Sequence, residues 1–443
     1  MNPLKIFCFV ALLVAAASAA PKHGKNKDNA VSSSLKPTDW LSVSELQSMQ
    51  SAEDFTMQQL ENMSVEEGER EIEKIYHLSQ INHALEPSFV PSPSNVPVLL
   101  MKPNGQPEQT TLNEMVDAAK KQPSFGNEEV TIFITGLPQT SPAVAKANKK
   151  LVQAYMQRYY GQQQPINSNK DYDDGNQAAT SSEEDYTTSS EEDYSESWKH
   201  PKATKGDLVI INLGSTLTNM KRFALLDVEQ TGNMIGKALV QLTNEVDVPQ
   251  EIIHIVAQGI GAQVAGAAGR QYRRLTGHQL RRITALDPSK MFATNKYELT
   301  GLARGDADLV DAIHTSTCGM GTRQRVGDVD FYVNGPASSV PGATNVVEAS
   351  MRATRYYAET VRPGNERNFP AVPANSMEQY ENNEGAGKRA YMGIATEFDL
   401  EGDYILKVNS KSPFGKSAPA QKQTNYHGMH QSWKSSKSLN QDY

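Results

Sequence analysis

Residues 251–270, EIIHIVAQGIGAQVAGAAGR, give the clearest structural signal in the chain. They open with a β-branched apolar run at 252–256, turn at Gly259 and Gly261, and continue with small residues at helical spacing. β-Branched runs are typical of buried strands, and closely spaced glycines mark sharp turns. The pattern therefore predicts a strand, a tight corner and a helix that packs closely against its neighbours.

This unit resembles the nucleophile elbow of α/β-hydrolases, G-x-S-x-G, in which a serine stands on a strained strand-to-helix turn. Here the corner is Ala257-Gln-Gly-Ile-Gly261, so Gly259 takes the place of the serine. Glycine brings no oxygen nucleophile, and it tolerates backbone angles that strain other residues. The corner therefore predicts an enzyme scaffold that has lost its nucleophile.

Buried strands and amphipathic helices alternate along most of the chain. Predicted strands cover residues 98–101, 129–136, 207–214, 281–287, 309–315 and 328–335, and predicted helices cover 112–119, 142–160, 223–246 and 346–357. This alternation predicts an α/β fold with a mainly parallel sheet and helices on both faces. A flexible arm and a helical accessory segment precede the sheet, with a capped helix start at Ser64 and an apolar stripe through Ile72, Ile75, Tyr76 and Leu78.

Residues 1–19 have the pattern of a secretory signal peptide. Lys5 precedes an apolar run that ends in the small-residue motif Ala17-Ser-Ala19, so we expect export. The run is shorter than the roughly 20 apolar residues that span a bilayer, so no membrane insertion is expected. Removal of Cys8 with this peptide leaves Cys318 as the single thiol, and a buried, inert thiol is favoured over a reactive or intermolecular one.

The acidity of the chain is concentrated in one segment. Ten acidic residues lie between Asp171 and Glu196, and without them the net charge of −8 becomes +2. Because so polar a segment cannot bury enough apolar surface to fold, residues 162–205 are predicted to be a disordered, solvated insertion.

Several residues are candidates for modification in the secretory pathway. Tyrosines among carboxylates are candidate sulfation sites, and serines two positions before a carboxylate are candidate phosphorylation sites. The sulfation candidates are Tyr172, Tyr186 and Tyr194, and the phosphorylation candidates are Ser181, Ser182, Ser189 and Ser190. Asn62, in Asn62-Met-Ser64, is a candidate for glycosylation. The alternative for the segment is an unmodified acidic spacer.

Five motifs occur in order along the second half of the chain. Residues 255–266 match the pattern V-x-G-H-S-L-G-A-H-x-A-G, and residues 283–288 match I-T-G-L-D-P. Residues 310–315 match V-D-V-I-H-T, residues 330–335 match D-F-x-x-N-G, and residues 350–357 match H-x-R-x-x-x-Y-[YF]. In this order and spacing they resemble the secreted neutral lipases, the pancreatic and lipoprotein lipase group of the α/β-hydrolase fold. The resemblance implies a lipase-like domain at 98–411, after an arm and accessory segment at 20–97 and before a disordered polar tail at 412–443.

The resemblance places the catalytic serine at Gly259, the acid at Asp287 and the histidine base at Ser350. A serine hydrolase needs a nucleophile, an imidazole and a carboxylate, and only the carboxylate remains. The oxyanion motif H-G-[FW] has likewise become Thr135-Gly-Leu137. We therefore predict no enzyme activity, no cofactor and no metal, with Asp287 kept as a structural acceptor of backbone hydrogen bonds.

Other reactive side chains do not restore the triad. His254, His278 and His314 do not match the base position, and histidines on strands are more often structural than catalytic. Cys318 follows a strand as a thiol nucleophile would, but the sequence pairs it with no histidine.

The whole chain resembles the yolk proteins of higher flies, the dipteran vitellogenins, which combine a lipase-like domain, a glycine at the elbow and an acidic tyrosine-rich insertion. The resemblance implies export into haemolymph, uptake through an endocytic receptor of the oocyte, storage in yolk granules and use as embryonic nutrient. It also implies contact with other yolk protein subunits.

The sequence alone leaves alternatives to storage open. An empty lipase cleft could carry a bound lipid, such as a steroid or fatty acyl conjugate, and a cryptic hydrolase is the third hypothesis. An arginine cluster could bind an acidic receptor repeat or be only a solvated helix face: Arg270, Arg273, Arg274, Arg281 and Arg282. The basic residues are scattered and the net charge is negative, so no nucleic-acid partner is expected.

Overall fold

The computed structural model describes residues 56–80, 86–138, 140–161, 204–293, 300–382 and 387–416. Helices α1–α9 of these ranges are Met57–Glu61, Val65–Gln80, Met115–Lys120, Pro142–Tyr160, Met220–Ala224, Val228–Val246, Ile260–Thr276, Val346–Val361 and Met377–Asn382. Strands β1–β11 are Pro97–Met101, Pro107–Thr111, Glu129–Ile134, Gly206–Ile211, Ile253–Gln258, Arg282–Leu286, Leu309–His314, Val329–Val333, Pro370–Pro373, Ala390–Tyr391 and Gly402–Leu406.

The strands of the described residues form one sheet in the order β10-β9-β11-β8-β7-β6-β5-β3-β4-β1-β2. Neighbours from β11 to β4 run parallel, while β1–β2 and β9–β10 add antiparallel strands at the two edges. Parallel strands place all their carboxyl ends along one edge of the sheet, where ligand and catalytic sites of such folds lie. The predicted α/β fold is confirmed, and the sequence did not reveal the added strands β2, β9, β10 and β11.

Helices cover both faces of the sheet, as predicted. Helices α3, α6 and α7 pack together on one face, and α4 and α8 pack together on the other. Every residue of β5, β6 and β7 is buried, which agrees with their continuous apolar sequences. The central strands are therefore shielded from solvent on both sides.

Helix α2 packs where the accessory segment was predicted. It begins with the expected capping box, in which the Glu67 amide donates to the Ser64 hydroxyl and the Ser64 amide donates to the Glu67 carboxylate. Ile72 is fully buried, so this segment is part of the domain core. The short helix α1, capped in the same way by Thr56 and Gln59, was not predicted.

The predicted helix at 223–246 is wrong in one respect, because the chain forms two helices, α5 and α6. Between them, the Leu225 carbonyl accepts hydrogen bonds from the amides of Ser88 and Phe89, and Leu226 forms an isolated parallel β-bridge with Phe89. Asp227 then caps α6 by accepting from the Gln230 amide. Tertiary backbone pairing and an Asp cap therefore end the first helix in spite of the continuous apolar spacing.

The ordered chain continues into the predicted tail. Phe414 is buried, packs edge-to-face on Tyr356, and its amide donates to the Glu359 carboxylate at 3.0 Å. The sequence boundary at 411 therefore lies before the last buried side chain, and residues from 417 on lie outside the described ranges. So does the predicted insertion, except for Thr204 and Lys205. No helix of the described residues is long and apolar enough to cross a bilayer.

Candidate functional site

Backbone hydrogen bonds at the carboxyl edge join the corners that follow β5, β6 and β7. The Gly259 amide donates to the Leu286 carbonyl at 3.0 Å, and the Ser289 amide donates back to the Gly259 carbonyl at 3.2 Å. The Asp287 amide donates to the Ile313 carbonyl at 2.8 Å. The sheet therefore places Gly259 beside the turn that carries Asp287.

Ser350 lies in the first half of α8 and reaches the same centre through one threonine. The Thr315 hydroxyl donates to the Ser350 carbonyl at 3.4 Å, and the Thr315 amide donates to the Asp287 carboxylate at 2.9 Å. The structure thus brings together the three positions that the sequence assigned to a lost triad.

The Asp287 carboxylate is fully buried and hydrogen-bonded by its neighbours. One oxygen accepts the amides of Thr315 and Ser316, both at 2.9 Å, and the other accepts the Ser316 hydroxyl at 2.5 Å. A catalytic aspartate would orient an imidazole. Here a serine hydroxyl takes that hydrogen bond, so the carboxylate fixes the loop after β7. The sequence did not reveal the role of Ser316.

The space next to Gly259 is filled by Leu137. Gly259 keeps the backbone of an elbow, with φ 59° and ψ −124°, a region that favours glycine. A Cβ at this position would lie 3.1 Å from Leu137 Cγ and 3.3 Å from Ser289 Oγ. The fully buried Leu137, from the altered oxyanion motif, would therefore be in tight contact with any side chain at position 259.

The altered oxyanion loop is held directly against the elbow. A Cβ on Gly136 would lie 1.9 Å from the Gln258 carbonyl oxygen, so only glycine permits this backbone approach. Thr135 fixes the loop from the other side, since its hydroxyl donates to Asn212 at 3.0 Å and accepts the Gly214 amide at 3.1 Å. Leu137 is thus positioned by backbone packing.

Two buried serine hydroxyls lie at this centre, and neither has a base. The Oγ atoms of Ser289 and Ser350 make no hydrogen bond to any described residue. A serine becomes a nucleophile when an adjacent base takes its proton. These two serines therefore have no partner among the described residues that would activate them.

Helix α2 covers the carboxyl edge beside this centre. Lys290, three positions after Asp287, is almost completely buried and donates to the Glu73 carboxylate and the Gly319 carbonyl, both at 2.6 Å. The Tyr76 ring meets the Phe292 ring edge-to-face at 5.9 Å. The accessory segment therefore acts as a cap over the edge where a lipase would admit its substrate.

The hypothesis of a lipid carrier directs attention to the cavities of the domain. Two cavities of the described residues have volumes of about 390 and 260 Å³, and neither is lined by Gly259, Asp287 or Ser350. Neither of these two cavities is therefore the lipase cleft that a carrier would use, and a bound lipid or steroid conjugate at the triad positions stays a prediction.

The three candidate histidines lie apart from the lost triad. His314 contacts the Thr322 carbonyl at 3.0 Å and Asp330 at 2.8 Å, and its ring stacks on Tyr332. His278 is exposed in the turn after α7. His254 is buried at the opposite, amino end of the sheet.

His254 belongs to a buried polar network at that amino end. Its Nε2 contacts the Thr284 hydroxyl at 2.9 Å, and its Nδ1 lies 3.7 Å from the Glu129 carboxylate. Arg282 and Asp311 form a bidentate ion pair next to it, with both contacts at 2.8 Å. Burial lowers the pKa of His254, partly opposed by Glu129. Burial would raise the pKa of Glu129, but its contact with His254 and the charges of Arg281 and Arg158 outweigh burial and lower that pKa to about 2.

Cys318 differs from the expectation of a buried thiol. It is half-buried, and its sulfur lies 2.8 Å from the Arg323 guanidinium. The sequence could not reveal this, because Arg323 reaches the sulfur only through the turn that follows β7.

The predicted arginine cluster does not form one surface. Arg270 pairs with Glu229 at 2.6 Å and Asp306 at 2.8 Å. Arg282 is buried in its pair with Asp311, and Arg281 contacts Glu129 at 3.4 Å. Arg273 and Arg274, near the end of α7, are exposed.

Of the modification candidates, the structure describes Asn62, which is exposed at the end of α1. The sulfation and phosphorylation candidates lie outside the described residues: Tyr172, Tyr186, Tyr194, Ser181, Ser182, Ser189 and Ser190.

Comparison with known proteins gives two consistent results. The sequence profile of the family "Lipase" matches residues 103–414. The chain is 82% identical to Vitellogenin-1 of Ceratitis capitata over 100% of both chains, and 56% identical to Vitellogenin-3 of Drosophila melanogaster over 97% of this chain and 99% of the relative. It is 30% identical to human Inactive pancreatic lipase-related protein 1 over 35% of this chain and 37% of the relative.

Replacing Asp287 tests its structural role. Asp287→Ala leaves two buried amides and a hydroxyl without their acceptor, and each such group costs about 1–3 kcal/mol, so we expect a loss of about 3 kcal/mol or more in the free energy of unfolding. Asp287→Asn keeps one acceptor oxygen and should lose less. Urea unfolding measures both, and an Asp287→Ala loss below about 1 kcal/mol would contradict the assignment.

The buried His254 should make stability depend on pH. The unfolded residue takes up a proton near the ordinary histidine pKa of 6.5, and the folded residue does so only at lower pH. This residue's contribution is therefore fully present above pH 6.5 and is lost as the pH falls, by at most about 1.4 kcal/mol per pH unit.

Urea unfolding of the wild type, His254→Gln and the exposed-site control His278→Gln tests this expectation. The stability advantage of the wild type over His254→Gln should shrink as the pH falls from about 7.5 to 5.5. An advantage that stays constant across this range rules the expectation out.

Proposed function

The chain belongs to the lipase family and, within it, to the dipteran vitellogenins, and on that premise we propose that it is a secreted storage protein of yolk, without catalytic activity. In this proposal the protein is exported into haemolymph, taken up by the oocyte through an endocytic receptor, and kept in yolk granules as nutrient for the embryo. Sulfation, phosphorylation and glycosylation at the candidate residues belong to the same proposal.

The observation that carries this proposal is the similarity to Vitellogenin-1, which extends over the full length of both chains at 82% identity. The similarity includes the accessory segment and the acidic segment as well as the domain that matches the lipase family. A function shared with these relatives therefore does not have to reside in the lipase-like domain alone.

The filled centre supports the absence of catalysis. Leu137 would be in tight contact with any side chain at position 259, Ser316 takes the hydrogen bond that an imidazole would make to Asp287, and helix α2 covers the edge. These contacts favour storage over a carrier in the lipase cleft or a cryptic hydrolase, because both of those need an open centre.

The receptor contact is proposed on the exposed part of the arginine cluster. Arg273 and Arg274 lie in the last turn of α7 and project from the domain, whereas Arg270 and Arg282 are held by internal carboxylates. Two adjacent guanidinium groups can form bidentate ion pairs with an acidic receptor surface. We also propose association with other yolk protein subunits.

An esterase assay tests the absence of catalysis. With 4-nitrophenyl butyrate, the wild-type protein should show no turnover above buffer, because loss of a cooperating triad is worth on the order of a million-fold. The double variant Gly259→Ser, Ser350→His should gain little, since the new Cβ meets Leu137 at 3.1 Å. Adding Leu137→Ala should give the highest rate. Wild-type turnover above buffer would overturn this part of the proposal.

Uptake by oocytes tests the receptor contact. We expect the double variant Arg273→Gln, Arg274→Gln to bind the receptor about tenfold more weakly or worse, because it loses charge-assisted hydrogen bonds. The measurement is the uptake of fluorescently labelled protein by cultured follicles. The exposed lysines of α4 provide the matched control, Lys146→Gln, Lys149→Gln, which should be taken up like wild type. Equal uptake of both double variants removes these arginines from the receptor proposal.

A further inference from the structure

The larger of the two cavities lies between the extended segment before β1 and the short helix α5. It has a volume of about 390 Å³ and is lined by Ser88, Phe89, Asn219, Lys221, Arg222 and Leu225. We propose that this groove binds a small amphipathic anion, namely an apolar chain or ring that ends in a carboxylate. The proposal is independent of the storage function, which would stand if the groove bound nothing.

The walls of the groove are fixed by backbone hydrogen bonds. The amides of Ser88 and Phe89 both donate to the Leu225 carbonyl, at 3.0 and 2.9 Å. The Phe89 carbonyl accepts the Asp227 amide at 2.8 Å. Helix α5 is anchored from below, because Phe223 is buried and packs against Phe292. The groove is therefore preformed, which lowers the entropic cost of binding.

Arg222 is held in place before any ligand arrives. Its guanidinium carbon lies 5.1 Å from the centre of the Phe89 ring, and one terminal nitrogen donates to the Thr216 carbonyl at 3.3 Å. A guanidinium has five N–H donors in a rigid fork. The remaining donors of Arg222 can therefore meet a carboxylate without reorganisation of the side chain.

The charge of the lining favours an anion. Arg222 is cationic, and no carboxylate is among the six lining residues. Two carboxylates lie two positions from a lining residue along the chain: Glu86, which is exposed, and Asp227, whose two oxygens accept the amide and the side chain of Gln230, at 2.9 and 2.7 Å. Ser88 and Asn219 add neutral polar groups.

The apolar part of the ligand is indicated by Phe89 and Leu225. These side chains form the uncharged wall of the groove, and both are only partly buried. A cavity of this volume, with an apolar wall and a few polar groups, is typical of small-molecule sites. A free inorganic anion would leave that wall in water, so the lining fits an amphipathic anion better.

The smaller cavity does not share these properties. It lies at the amino end of the sheet, and the Glu129 carboxylate stands in it between His254 and Arg281. Arg282, its most buried cation, is already paired with Asp311. An anion there would meet a carboxylate and cations that are already neutralised.

Isothermal titration calorimetry of the full-length protein tests the proposal with octanoate as the probe. We expect a Kd of about 1 mM or tighter for the wild type. Arg222→Gln should weaken binding at least about tenfold, because it removes the charge-assisted hydrogen bonds. The affinity of Arg222→Lys for octanoate should lie between those of the wild type and Arg222→Gln. Phe89→Ala should also weaken binding, since it removes the apolar wall and the support of Arg222.

The controls separate this site from nonspecific binding. Arg367→Gln removes another exposed arginine that lies over an aromatic ring, that of Tyr391, and should leave the octanoate Kd unchanged, and thermal unfolding verifies that each variant is folded. Octanol and inorganic phosphate carry only one half of the proposed chemistry, so both should bind more weakly than octanoate. The proposal is overturned if octanoate does not bind, if Arg222→Gln binds it as tightly as wild type, or if octanol binds equally well. It is also overturned if Arg222→Gln weakens the binding of a glutamate-rich peptide but not the binding of octanoate.

Discussion

The parallel register of β5, β6 and β7 is the constraint on which the rest of the structure depends. It ends three strands at one edge and lets the corners after them bond through backbone groups, from Gly259 to Leu286 and from Asp287 to Ile313. None of these bonds needs a side chain. The corner geometry of a hydrolase therefore does not depend on a serine or a histidine, and Gly259 has the positive φ of an elbow.

A hydrolase-like corner with neither a serine nor an imidazole has a volume and a buried charge that the fold must accommodate. Leu137 fills the volume, and the Asp287 carboxylate receives three hydrogen bonds from Thr315 and Ser316. A buried carboxylate without partners would cost several kcal/mol, so these bonds explain why an aspartate can stay where no imidazole needs it. Asp287 thus stabilises the loop after β7.

The sequence predicted the parts of this structure that rest on local patterns. The strand at 253–258, the corner at Gly259 and the capping box at Ser64 each follow from a few adjacent residues. The contacts that close the centre could not be predicted in this way, because Leu137 and Ser316 are far from Gly259 and Asp287 in the chain. The break before Asp227 was missed for the same reason, since it depends on pairing with Phe89.

The cap formed by α2 distinguishes this domain from a scaffold that is merely missing two side chains. A lid that opens must separate from the domain at low cost. Here separation would expose the fully buried Ile72 and would leave the almost completely buried Lys290 without the Glu73 carboxylate. Helix α2 also contacts the loop between β8 and α8, where the Ser339 hydroxyl donates to the Glu69 carboxylate at 3.1 Å. The edge that a lipase must open is therefore closed by interactions that belong to the stable fold, so restoring the triad chemistry alone would not restore access to it.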